Sequence, residues 1–201
     1  MFSKALSAAI NGIHSYIISV EADVSDGLPI FDLVGYLGSE VREAKQRVRI
    51  SIKNSGFRLE PKRITINLSP ADIRKEGTAF DLPIAIAILA AFGHIQQESL
   101  EDTLIIGEVS LNGDIKRVNG VLPIVYAAYK QGFKRCIVPE SNKNESAMVQ
   151  GIDVYGVNSI KEVVKFLREE IYLEPHFVDL YEKKDQKNDL EHLDFSDVVG
   201  Q

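Results

Sequence analysis

A nearly uninterrupted apolar segment, residues 82–92, most constrains how this chain folds. Apart from Pro83, it contains only Leu, Ile, Ala and Phe. The segment is too short to cross a bilayer, so in a soluble protein it must form a helix that is buried on most sides. We therefore expect residues 82–93 to form a central helix, with Asp81 capping its start and Pro83 in its first turn.

Short strands and further helices are predicted around this segment. Asn11-Gly12 favours a β-hairpin, because both central residues of a type I′ turn need positive φ, and Gly56 and Gly132 each end a helical pattern. Strands are predicted for residues 5–10, 14–22, 30–34, 63–68, 115–118, 135–138 and 154–155, and residues 104–107 and 109–111 are predicted to make one further strand. Helices are predicted for residues 40–54, 82–93, 122–131, 141–149 and 160–167. A strand-rich start followed by alternating helices and strands predicts an α+β or mixed-sheet α/β domain.

Positive charge is concentrated in residues 40–76, which hold ten Lys and Arg against five Asp and Glu, although the whole chain has a net charge of −6. A basic surface on an acidic protein favours a directed electrostatic contact, and phosphate backbones are its obvious ligand. Two alternatives stay open: contact with an acidic surface of a neighbouring subunit, and simple solvation of a helix on which Glu43 and Arg47 are spaced as an ion pair. The candidate DNA-binding residues are Arg42, Lys45, Arg49, Lys53, Lys62, Arg63, Arg74 and Lys75.

Several chemistries find no support in the sequence. The four histidines lack the spacing of zinc ligands, and the single cysteine, Cys136, excludes an intramolecular disulfide. The glycine-rich residues 107–120 lack the order of a phosphate-binding loop, so we predict no nucleotide site and no metal site. The N-terminus resembles neither a secretory signal nor a membrane span, and we expect a cytoplasmic protein without membrane contact.

Residues 75–81, Lys-Glu-Gly-Thr-Ala-Phe-Asp, resemble the turn that presents the nucleophilic serine in Lon-type proteases. In this alignment Ala79 takes the position of the serine, and Leu122 falls where the catalytic lysine would be. A serine needs a neighbouring base to become a useful nucleophile, so the resemblance implies that this chain has no catalytic residues. The same resemblance implies that Gly77, Thr78 and Asp81 have a structural role in the loop.

Longer blocks resemble the magnesium-chelatase-like family that includes ComM and YifB. The resemblance covers roughly residues 1–170 and implies an N-terminal domain with a fold like the Lon protease domain. Residues 171–193 are predicted to be a linker, although Leu173, Phe177, Leu180 and Tyr181 offer an alternative in which this segment docks on the domain. Residues 194–201 resemble the opening motif of an AAA+ ATPase domain, which we expect to follow. The matching blocks are residues 27–35, 47–49, 53–57, 61–72 and 75–84.

The family resemblance implies an accessory, non-catalytic domain of a hexameric AAA+ ATPase that acts as a DNA branch-migration helicase in recombination and natural transformation. ATP and Mg²⁺ are expected in the AAA+ domain, and no cofactor is expected in this segment. The expected partners are DNA, the chain's own AAA+ domain and neighbouring subunits of a homohexamer. Two alternatives are a ring-assembly or protein-interaction module without DNA contact, and a rearranged peptidase that pairs Thr78 or Ser110 with Lys75 or Lys116.

Overall fold

The computed structural model describes residues 1–11 and 14–179. Most of the predicted linker, including Leu180 and Tyr181, and all of residues 194–201 lie outside these ranges. The strands are β1 (Phe2–Asn11), β2 (His14–Ser25), β3 (Phe31–Val34), β4 (Arg63–Ser69), β5 (Thr103–Ile105), β6 (Glu108–Val109), β7 (Ile115–Lys116), β8 (Arg135–Pro139) and β9 (Asp153–Val157). The helices are α1 (Ser39–Asn54), α2 (Asp81–Ala91), α3 (Val121–Lys130), α4 (Lys143–Ser146) and α5 (Ile160–Leu167), and short 3₁₀ helices cover Gln97–Leu100 and Glu140–Asn142.

A mixed sheet organises the described residues, with seven strands in the order β3-β4-β2-β1-β5-β8-β9. Strands β1, β2 and β4 pair antiparallel, whereas β3 runs parallel to β4, and β5, β8 and β9 continue parallel from β1. The β1–β2 hairpin is confirmed, because its register ends with Asn11 opposite His14. The predicted α+β fold with a mixed sheet is therefore confirmed.

The sheet separates two hydrophobic cores. Successive side chains of a strand point to opposite faces of the sheet, so Ala5 and Ala9 of β1 belong to the first core and Ala8 belongs to the second. Helices α1, α2 and α5 contribute side chains to the first core. Helix α3 and residues just after α4 contribute to the second core. The two groups of helices therefore lie on opposite faces.

Helix α2 is the buried helix that the apolar segment predicts. Ten of its eleven residues are buried, and Ala90 alone is partly exposed. It packs on β1 and β2 and against α1 and α5, and the Ser3 hydroxyl donates a 2.6 Å hydrogen bond to the Ala87 carbonyl. No helix in the described ranges is long and apolar enough to cross a membrane.

The single strand predicted from residues 104–107 and 109–111 is wrong, because the chain leaves the large sheet after Ile105. Strand β5 belongs to the large sheet, whereas β6 pairs with β7 in a separate two-stranded sheet. The Gly107 N–H donates to the Ala79 carbonyl at 3.0 Å, and the Gly107 carbonyl accepts from the Leu82 N–H at 2.9 Å. A Cβ on Gly107 would lie 3.1 Å from side-chain atoms of Leu82 and Ile115, so any larger residue would have to displace these side chains by a few tenths of an ångström.

The helix predicted for residues 141–149 is shorter in the structure, where α4 follows a 3₁₀ turn and ends at Ser146. The buried Asn142 side chain accepts from the Val118 N–H and donates to the Val118 carbonyl, both at 3.0 Å. The Ser146 hydroxyl donates back to the Asn142 carbonyl at 2.9 Å. These contacts tie the helix start to the β7–α3 connection, which the periodicity of residues 141–149 does not reveal.

The turn at Gly113 gives a stability prediction with a matched control. Gly113 has φ +91°, and an added Cβ would lie 2.1 Å from the hydroxyl of the buried Ser55. We expect Gly113→Ala to lower the free energy of unfolding by about 2–4 kcal/mol, because left-handed strain adds to overpacking. Gly132→Ala, at φ +84° with no atom within 4 Å of its Cβ, should cost only about 1–2 kcal/mol. Chemical denaturation that gives equal losses would contradict the role of Ser55.

Candidate nucleic-acid interface

Helix α1 presents the basic residues on its outer face. Its inner face buries Val41, Ala44, Val48 and Ile52 against the first core. Gly56 ends the helical turn with φ +84° and a 2.9 Å hydrogen bond from its N–H to the Lys53 carbonyl. Because residues three and four apart share a helix face, the 3.6-residue period places the cations together on the outside: Arg42, Lys45, Arg49 and Lys53.

Three adjoining concavities share Arg49 and form what we name the basic groove. The first lies along α1 between Lys45, Arg49 and Lys53. The second continues past the helix end to Phe57, Arg58 and Leu59, and the third reaches Ile30 and Lys62. The basic groove thus has apolar surface and one carboxylate, Glu60, between five cations, which are Lys45, Arg49, Lys53, Arg58 and Lys62.

The cations that line the groove differ in whether they already form an ion pair with a carboxylate. Lys45 lies 3.8 Å from Asp32, and Lys62 lies 3.4 Å from Asp26 and 3.7 Å from Glu60. Within the described part of the chain, by contrast, no ion pair engages Arg49, Lys53 or Arg58. Those three cations leave an uncompensated positive potential in the groove, which favours an anionic ligand.

The remaining candidates lie elsewhere. Arg63 is half-exposed and shares Asp32 with Lys45, at 4.0 Å. Arg74 lies over the Tyr36 ring at 5.9 Å and pairs with Glu76 at 2.9 Å, beyond the end of β3. Arg42 is exposed but lines none of the concavities of the basic groove. The sequence therefore predicted a wider patch than the groove that the fold assembles, and it did not select Arg58.

Lys75 requires a correction, because its side chain is fully buried. Its Nζ donates to the Pro70 carbonyl, and its backbone pairs with the Tyr36 carbonyl and the Gly38 N–H. Burial lowers the pKa of Lys75, against the opposing charge of Asp72. Lys75 therefore has no accessible charge for DNA in this conformation.

Asp81 holds the loop before α2 in place through its contact with Arg47, but it does not cap the helix. Asp81 is the first residue of α2, and no side chain caps the helix at Phe80. The predicted cap is therefore wrong. The Arg47 guanidinium instead donates to both carboxylate oxygens of Asp81, at 2.9 and 3.0 Å, and the Val109 N–H lies 3.4 Å from one of them.

Arg47 and Asp81 form a buried ion pair that links α1 to α2. The Asp81 side chain is completely buried, and Arg47 also donates to the Glu40 carbonyl at 3.0 Å. The predicted contact with Glu43 exists at 3.7 Å, but Glu43 is largely exposed. The hydrogen bond with Asp81 raises the pKa of Arg47, while burial raises the pKa of Asp81 against the opposing effect of Arg47.

The positions aligned with the Lon nucleophile and base lie on one side of the sheet. Ala79 and Leu122 both pack, partly buried, against the second core. Near Ala79, Gly77 adopts φ +76° and the Thr78 hydroxyl donates to Glu108. Within the described residues, no three His, Cys, Asp or Glu side chains gather as a metal site.

Known proteins are similar to this chain over most of its length. Residues 20–142 match the family model described as subunit ChlI of Mg-chelatase. The competence protein ComM of Haemophilus influenzae is 36% identical over 97% of this chain, and the uncharacterised protein YifB of Escherichia coli is 38% identical over 94%. DNA repair protein RadA of Halalkalibacterium halodurans is 30% identical over 56% of this chain.

The similarity covers only a part of the length of each relative. This chain spans 38% of ComM, 36% of YifB and 24% of RadA. The blocks that carry the resemblance, from residues 27–35 to residues 75–84, all fall within the region that the family model covers. The chain belongs to the magnesium-chelatase-like family that includes ComM and YifB.

Proposed function

We propose that this chain is a non-catalytic, DNA-contacting domain of a ComM/YifB-type AAA+ ATPase. In this proposal the basic groove holds the phosphate backbone of DNA close to the ATPase. ATP and Mg²⁺ belong to the AAA+ domain that follows in such proteins, and a homohexamer brings several basic grooves together. The whole assembly serves as a branch-migration helicase in recombination and natural transformation.

One observation carries the proposal: Arg49 is common to all three concavities and has no carboxylate partner among the described residues. Lys53 and Arg58 flank it in the second concavity and are equally uncompensated. A surface helix whose cations only maintain solubility usually places carboxylates among them as ion pairs. The names of the relatives support the same direction, since one is a competence protein and another a DNA repair protein.

Absence of catalysis in this domain is the second part of the proposal. Ala79 has no nucleophilic atom and Leu122 has no basic atom at the two positions aligned with the Lon pair. The alternative base Lys75 is buried against the Pro70 carbonyl. Thr78 donates to the Glu108 carboxylate, and Lys116 lies 3.5 Å from Asp114. These contacts support a structural role for the loop.

The groove residues give a direct binding test. We expect the variant R49E/K53E/R58E to bind a labelled oligonucleotide at least tenfold more weakly than the unmodified chain, because three phosphate-facing cations become anions. Fluorescence anisotropy at low salt measures this loss. The matched control R117E/K130E/K134E changes the net charge equally at residues that do not line the basic groove, and it should retain most binding.

Two outcomes would contradict the proposal. Equal weakening in both variants would mean that only net charge matters. No binding by the unmodified folded chain would favour the ring-assembly function, in which the groove faces an acidic surface of a neighbouring subunit.

A further inference from the structure

The second concavity of the basic groove combines positive charge with apolar surface. Its volume is about 670 Å³, within the range of pockets that enclose small ligands. Arg49, Lys53 and Arg58 line it, and no carboxylate is among the described residues that do so. Phe57 and Leu59 supply the apolar surface. The ligand that best matches this concavity therefore carries an anionic group and an apolar group side by side.

Phe57 is held in place by the end of α1. Its N–H donates to the Ile52 carbonyl at 3.2 Å, and the Gly56 N–H donates to the Lys53 carbonyl at 2.9 Å, which is the Schellman pattern of a helix end. The Phe57 ring packs on the first core and lies 5.5 Å from the His94 ring, with 64° between the two planes. Phe57 is still partly exposed and lines the concavity. It therefore offers an aromatic surface whose position is fixed before a ligand binds.

The two neighbouring concavities lack this combination. The first is lined along α1 by Lys45, Arg49 and Lys53, which follow one another at about 6 Å along the helix axis. In the third concavity, Lys62 already has carboxylate partners, and the aromatic residue that lines it, Phe31, is buried. The basic groove thus offers a row of cations along α1 and an accessible aromatic ring in the second concavity.

We infer that the second concavity is a base-binding subsite for single-stranded DNA. One unpaired base lies against the Phe57 ring, while the flanking phosphates contact Arg49, Lys53 and Arg58. Grooves that bind single strands combine cations that follow the backbone with aromatic rings on which bases stack. The inference rests on the proposed DNA contact of the basic groove and adds which form of DNA the groove engages.

Double-stranded DNA does not match the subsite in the same way. Each base of a duplex is paired and stacked between its neighbours, and a protein in the groove of the duplex reaches only the edge of the base. A duplex can therefore contact the cations along α1, but it leaves the Phe57 ring uncovered.

Fluorescence anisotropy with two labelled probes tests the subsite. The probes are an oligo-deoxythymidine strand and a blunt-ended duplex with the same number of phosphates. We expect the unmodified chain to bind the single strand more tightly than the duplex. Phe57→Leu should weaken single-strand binding about fivefold or more and leave duplex binding unchanged, because leucine keeps the apolar contact at the helix end but has no aromatic face for a base. Phe57→Tyr, which keeps the ring, should retain the binding of the unmodified chain.

A tryptophan in place of Phe57 reports the contact directly, because the chain contains no tryptophan of its own. In Phe57→Trp we expect the single strand to quench the indole fluorescence by stacking, and the duplex to leave it nearly unchanged. The matched control is Phe177→Trp, at an exposed residue beside β9, which forms the opposite edge of the sheet from β3. Its fluorescence should respond to neither probe.

Four results would overturn the inference. Single-strand binding that is equal in Phe57→Leu and the unmodified chain would mean that the ring contacts no base. An equal loss for both probes in Phe57→Leu, or equal quenching of Phe57→Trp by both probes, would mean that no unpaired base is needed. These three results leave the proposed DNA contact intact. Failure of the unmodified folded chain to bind either probe would overturn the inference together with the proposed function.

Discussion

Replacing Arg47 with methionine is expected to lower the free energy of unfolding by about 3–5 kcal/mol. The Asp81 carboxylate is completely buried and receives both of its strong hydrogen bonds from Arg47. Without the guanidinium, the fold must bury an unpaired anion or protonate it. Urea denaturation of the purified chain measures the loss.

Glu43→Gln is the control for this variant, because it removes the second carboxylate that forms an ion pair with Arg47. Glu43 is 73% exposed and lies 3.7 Å away, so its loss should change stability by about 1 kcal/mol or less. The double variant R47M/D81L should recover part of the loss, since it leaves no orphan charge in the core. Equal effects of Arg47→Met and Glu43→Gln would contradict a buried pair.

The Arg47→Met variant should also show a distinctive pH dependence. Burial raises the pKa of Asp81 above 3.8, and Arg47 is the main group that opposes this effect. In the variant the folded state therefore binds a proton at higher pH than the unfolded state does. The stability deficit should be largest near pH 7 and shrink as the pH falls through the raised pKa of Asp81 in the variant, down to the lower pKa that Asp81 has beside Arg47 in the unmodified chain. A deficit that is constant with pH would point to lost side-chain contacts rather than to an unpaired charge.

Lys75→Glu is expected to cost about 3 kcal/mol or more. The Lys75 side chain is fully buried and donates to the Pro70 carbonyl. A glutamate there would place a carboxylate against that carbonyl oxygen, with Asp72 as a further negative charge nearby. Thermal or chemical denaturation measures the change.

Arg74→Glu, one residue away, is the matched control. Arg74 is 56% exposed and pairs with an equally exposed Glu76, so its reversal should change stability by about 1 kcal/mol or less. Equal stability of the two variants would mean that Lys75 reaches solvent. It would then return to the set of DNA-binding candidates.

The elements that follow from local periodicity were predictable from the sequence. The outer stripe of α1, the alternation in β4 and the buried character of α2 each depend on residues within a few positions of one another. Their assembly into a mixed sheet with helices on both faces follows from packing apolar faces together. The end of α1 just before Gly56 was equally clear, because glycine suits the left-handed conformation that follows the helix.

The contacts that depend on distant residues were not predictable in this way. Arg74 and Lys75 are adjacent cations, and only the backbone pairing of Lys75 beside Tyr36 buries one and exposes the other. From the local sequence, Asp81 is predicted to cap α2. Its actual partner, Arg47, lies 34 residues earlier in the chain and cannot be found from local sequence. Arg58 joins the groove only because the chain turns at Gly56 and brings it beside Arg49.

The salt dependence of DNA binding tests the central proposal most directly. For the unmodified chain, the logarithm of the association constant should fall linearly with the logarithm of the salt concentration. In R49Q/K53Q/R58Q the slope should be smaller by about 2–3, because each phosphate contact that is lost removes nearly one unit. In R117Q/K130Q/K134Q the slope should stay unchanged. An unchanged slope in the groove variant would contradict the proposal that the basic groove holds the DNA backbone.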